Sequence, residues 1–108
     1  MTPATTTKPR GSNEAVDKKA ATLEEKAQAA LSADKYEEAV GHLNAALFLL
    51  PNSAQLLALR GEALLQAGDL HSSIFNFRRS VHLSTDKDQR AARERRLAQV
   101  MDVRAAVL

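Results

Sequence analysis

The chain has 108 residues, 44% of them hydrophobic but only 4% aromatic, and a formal net charge of +2. That is enough for one small domain, and too little charge for the total alone to argue nucleic-acid binding. There is no cysteine, which excludes a disulfide framework and thiol chemistry.

The charge is unevenly spread: both ends are basic and the middle is mildly acidic. Alanine and leucine dominate, which suits close helix–helix packing better than a sheet. The N-terminus lacks the roughly 7–15-residue apolar run of a secretory signal. The longest apolar run, residues 45–50, is far short of the roughly 18 residues a membrane span needs. These features lead to the expectation of a cytoplasmic protein without a membrane span.

Residues 1–12, MTPATTTKPRGS, hold too little apolar surface to offset the entropy of ordering and read as a disordered tail. Their threonines and basic residues leave a phosphorylated cluster or a docking arm as the alternative. Helical texture begins near Asn13. Ser12 or Asn13 is a candidate cap for a long first helix, and Thr22, which opens a T-L-E-E capping box, for a shorter one. Leu23, Ala27, Ala30 and Leu31 share one face of it. The helix is expected to stop near Ala33 and Asp34.

A second helix is expected from Tyr36, with Tyr36, Ala39, Val40, Leu43, Ala46, Leu47 and Leu50 as its buried stripe. Pro51 ends it, since proline disfavours helix at the residue before it. Gly41 lies inside, either to admit a neighbour or as a tolerated cost of about 1 kcal/mol. Asn52 and Ser53 are cap candidates for a third helix carrying Leu56, Leu57, Leu59, Leu64 and Leu65, with Gly61 and Ala63 as small positions. Gly68 fits a left-handed helix end. Asp69 then caps a fourth helix with Leu70, Ile74, Phe77, Val81 and Leu83. After a break at Ser84, Thr85 and Asp86, an arginine-rich fifth helix runs from Lys87. Its apolar positions are Ala91, Leu97, Val100, Met101, Val107 and Leu108.

The second and fourth helices share a register. A shift of 34 residues lays Ala39 on Ser73, Leu43 on Phe77 and Ala46 on Ser80. Small, large and small residues recur at helical spacing, the texture of a stacked helical repeat. With this period and these residues, the chain resembles the tetratricopeptide repeat (TPR) family over residues 20–87, as repeats 20–53 and 54–87. Leu23 and Leu57 stand where the family usually has tryptophan, and Thr85 stands where the first repeat has Pro51. A helical bundle with hairpins of equal length is the alternative.

The resemblance implies an all-α fold: two stacked TPR-like helix–turn–helix hairpins in a right-handed α-α superhelix. Ala27 and Gly61 are expected where helices approach closely. Residues 88–108 form a C-terminal solvating helix or a truncated third repeat, with Arg95 where a small residue belongs. Stacked repeats need such a terminal cover.

By the same resemblance, the first helix of each pair lines a concave groove. That places Glu24, Gln28, Leu31, Leu59, Glu62 and Leu65 along it, with Gln89, Arg93 and Arg96 at one end. The implied function is non-catalytic protein–protein interaction, as a scaffold or adaptor holding a peptide or helix. The alternative is a structural subunit, stabilised by homo-oligomerisation or by a larger assembly such as a cytoskeletal complex. The clamp by which some family members hold a chaperone's C-terminal carboxylate would need basic and amide residues at Glu24, Gln28, Leu59, Gln89 and Arg93. Only Arg93 fits, so that partner is not expected.

No cofactor, metal or catalytic residue is expected. His42, His71 and His82 have no zinc spacing. Neighbouring acids such as Glu24–Glu25 and Glu37–Glu38 point to different helix sectors. The fifth helix has no aromatic for stacking bases, and Glu94 and Asp102 interrupt its charge, so no nucleic-acid partner is favoured.

Overall fold

The computed structural model describes residues 13–107. The tail at residues 1–12, the cap candidate Ser12 and the apolar position Leu108 lie outside the described residues. Among those described the fold is all-α, with five helices and no strand: α1 (Glu14–Ser32), α2 (Tyr36–Leu49), α3 (Ala54–Gln66), α4 (Leu70–Leu83) and α5 (Lys87–Val107).

The helix ends follow local chemistry. Asn13 opens α1, its Oδ1 accepting from the backbone N–H groups of Ala15 and Val16. Such a cap stabilises a helix by about 1 kcal/mol. Thr22 therefore caps nothing; its hydroxyl donates back to the Lys18 carbonyl inside α1. Asp34, at φ 61, turns the chain into α2. Ser53 caps α3, Asp69 caps α4, and the Asp86 carboxylate accepts from the Gln89 N–H at the start of α5. Gly68, at φ 93, sits in the left-handed region after α3, where an L side chain would be strained.

Consecutive helices pack pairwise as stacked hairpins. A first core cluster joins α1, α2 and α3 through Ala27, Ala30, Ala39, Leu43, Ala46, Leu47, Leu56 and Leu57. A second joins α3, α4 and α5 through Ile74, Phe77 and Val100, with Ala58, Leu65, Leu97 and Met101 against it. Helix α3 belongs to both, so it is the element on which the two hairpins meet.

The close approaches fall at small residues. Ala27 and Ala39 are fully buried. The Phe77 ring is pressed against Gly61, and Gly41, by contrast, faces open space. Two buried serines of α4 hold the second hairpin shut: Ser73 Oγ donates to the Gly61 carbonyl and Ser80 Oγ to the Ala54 carbonyl, both at 2.7 Å. Each bond contributes about 1 kcal/mol.

Helix α5 covers the apolar side of α4 with Leu97, Val100 and Met101. Arg95 stays exposed. At the C-terminal end of α5 the apolar position Val107 stands in solvent. It is 67% exposed, as is much of Val103, because the last turns of α5 extend past the Ile74–Phe77 cluster.

Candidate protein-binding surfaces

Helices α1, α3 and α5 share one face of the stack, which their long side chains knit together. Gln55 of α3 donates through Nε2 to Glu24 of α1 at 3.2 Å. The same Gln55 accepts from Arg93 of α5 at 3.1 Å. Further along, Arg96 grips Glu62 with two bonds, Nε to Oε2 at 2.6 Å and Nη2 to Oε1 at 2.8 Å. That hydrogen bond, assisted by the carboxylate's charge, raises the Arg96 pKa against the opposing effect of partial burial.

This face collects the residues the sequence assigned to a groove, with a difference. Glu24, Glu62, Arg93 and Arg96 come together and bond within the chain. Gln28 is exposed beside them. Leu31 and Leu59 are half-buried against the first core cluster and Leu65 against the second. Gln89 lies 3.5 Å from Arg93 Nη1. Arg93 also donates to Ser84 Oγ, and Arg90 donates twice to the Ser84 carbonyl. The charge on this face is thus partly neutralised internally, because Arg96 on α5 reaches back across to Glu62 on α3.

The opposite face is built by α2 and α4 over the back of α3. Here Phe48 is 85% and Phe75 61% exposed. Two of the chain's three phenylalanines therefore stand in solvent, on the walls of one groove of about 350 Å³. Asn44, Leu47, Pro51, Leu57, Arg60 and Arg79 complete its lining. Arg60 is braced across the groove, Nε to Asn76 Oδ1 at 2.8 Å and Nη1 to Asn44 Oδ1 at 3.0 Å. Burial lowers its pKa.

Sequence reasoning missed this face, although a signal existed. Phe48 directly follows the buried Leu47, and Phe75 follows the buried Ile74. Each also stands two residues from a small or large position of the repeated pattern, Phe48 from Ala46 and Phe75 from Ser73 and Phe77. Two residues are 200° around a helix, so both phenylalanines point away from that stripe.

A recess of about 490 Å³ at the α1–α2 turn is lined by Asp34, Tyr36, Glu37 and Glu38 with Lys35, Gln66 and Ala67. Its walls are mainly polar, with Tyr36 as the one aromatic side chain among them. Among the described residues no three His, Cys, Asp or Glu side chains cluster to hold a metal ion, and no helix is long and apolar enough to cross a membrane. In comparisons with known proteins, no family model and no curated sequence matches the chain.

Proposed function

We propose that this chain is a non-catalytic protein–protein interaction module, a scaffold or adaptor built from two TPR-like hairpins. The observation that carries the reading is the pair of exposed phenylalanines, Phe48 and Phe75, in one groove. Each would lose roughly 1.5–3 kcal/mol of unfavourable hydration on burial, and clustered exposed aromatics mark contact surfaces. The face of α1, α3 and α5 is the second candidate surface, through its half-exposed Leu31, Leu59 and Leu65. A partner there must fit around Arg96 and Glu62, already paired to one another.

Affinity purification of the full chain, followed by binding of the recovered partner to variants, tests this. Phe48→Ser with Phe75→Ser is expected to abolish capture while helix content is retained. Loss on Leu59→Glu alone would move the site to the other face. Recovery of no partner under native conditions would overturn the reading.

A structural-subunit role has its own supporting observation. Val103 and Val107 are exposed four residues apart on α5, an apolar strip suited to a permanent neighbour. Sedimentation velocity across a concentration range tests it: a monomer throughout speaks against self-association.

A further inference from the structure

We propose that the groove between α2 and α4 receives an acidic segment of a partner protein, with an apolar side chain seated between Phe48 and Phe75 and flanking carboxylates meeting Arg60 and Arg79. This deepens the binding-module reading and rests on it.

The first argument is charge without a counter-ion. Arg60 is half-buried, and both of its acceptors, Asn76 and Asn44, are neutral amides. Among the described residues Arg79 meets only the amide oxygen of Asn52, at 3.2 Å. Among the described residues the one ion pair is Arg96–Glu62, on the opposite face. Helix α4 carries Arg78 and Arg79 and no acid, and residues 1–12 contain no Asp or Glu. A guanidinium already partly desolvated and fixed by neutral acceptors attracts an arriving carboxylate more strongly than one in bulk water. Part of the usual desolvation cost of an ion pair is incurred before the partner arrives.

The second argument is the lining. Pro51 and Leu57 line the groove together with the two rings, and it has room for one or two side chains. On the far side of Phe75 a second recess of about 270 Å³, lined by Arg78, Arg79 and His82, carries the basic strip onward. Apolar anchors flanked by acids match this order of surfaces. A nucleic-acid base matches it less well, since its hydrogen-bonding edge would meet Leu57 and Pro51 unsatisfied. A phosphate backbone would also want a longer track of cations.

The experiment pans the full chain against a phage library of random peptides of about 16 residues. Enriched sequences are expected to place Asp or Glu around Leu, Phe or Trp. As synthetic labelled peptides, they are expected to bind at least about tenfold more weakly to the Phe48→Ser, Phe75→Ser double variant. Arg79→Gln should weaken them about three- to tenfold, and high salt should weaken them further. These side chains are exposed, so circular dichroism should show unchanged helix content. Enrichment of basic or charge-free peptides, or of none, overturns the proposal. So does acidic-peptide binding that survives the groove variants, or a uridine oligonucleotide that displaces the peptides at equal concentration. Peptides lost only on Leu59→Glu would sink the groove assignment yet leave the interaction-module reading standing.

Discussion

The Phe77 ring lies 2.9 Å from where a β-carbon on Gly61 would sit. Phe77 is only 1% exposed, so the ring has nowhere to withdraw. Gly61→Ala gains about 1 kcal/mol in helix propensity but overpacks the core at a cost of about 1–3 kcal/mol. With two ring atoms struck at once, the steric cost wins and the melting temperature should fall. Gly41→Ala meets nothing within 4 Å, so the propensity gain should stand alone and stability should rise by about 1 kcal/mol. Thermal denaturation of both variants checks the opposite signs; equal shifts would refute the close approach.

Ala39 is fully buried between α1 and α2. Ala39→Arg puts a long cation where neither its volume nor its charge has room. The expected outcome is loss of the first hairpin, read as a large drop in ellipticity near room temperature. A variant of unaltered helicity would refute the helix register.

Arg96 and Glu62 pair with two bonds, but each side chain is about a third exposed, 36% and 33%. Water and salt therefore screen the pair. Glu62→Gln should cost no more than about 1 kcal/mol at low salt, with the difference shrinking in molar salt. Denaturant titration at two ionic strengths measures it. A larger, salt-independent loss would mean that this pair, rather than apolar packing, holds α5.

Tyr36 donates its phenol proton to Asp34 Oδ1 at 2.9 Å. That hydrogen bond, then burial and the carboxylate's charge, raises the phenol pKa. The proton is held more tightly in the folded state. Its stabilising contribution is complete below the unfolded value of about 10 and is lost as pH rises through the higher folded value. The chain has one tyrosine and no tryptophan, so near-ultraviolet titration reads this group alone. Asp34→Gly, which keeps the left-handed turn and removes the acceptor, should lower the midpoint; an unchanged midpoint would refute the hydrogen bond.

Much of the architecture was legible in the chain. Pro51, Gly68 and Asp69 marked helix ends by local chemistry, and local chemistry survives folding. The choice between Asn13 and Thr22 was not legible, because both sequences satisfy a capping rule. It was decided by Ala20, buried upstream of Thr22, which rewards extending the helix. The repeat resemblance puts Glu24 and Glu62 toward one groove, but their bonds to Gln55 and Arg96 were not foreseen. Those partners lie 31 and 34 residues away, and pairing depends on side-chain reach across helices. Arg60 carried no sequence signal at all. Its setting is made by Asn44 and Asn76, each 16 residues distant.

Among the described residues the helices pack most extensively on their neighbours along the chain. Each helix after the first packs on the one made just before it. During translation the α1–α2 hairpin can close while α4 is still inside the ribosome, and each new helix finds its support already standing. Loop-closure entropy stays small at every step, so assembly should be fast. The same linearity gives the chain a direction of failure under tension: pulled from its C-terminal end, it should yield helix by helix, with α5 the first to leave.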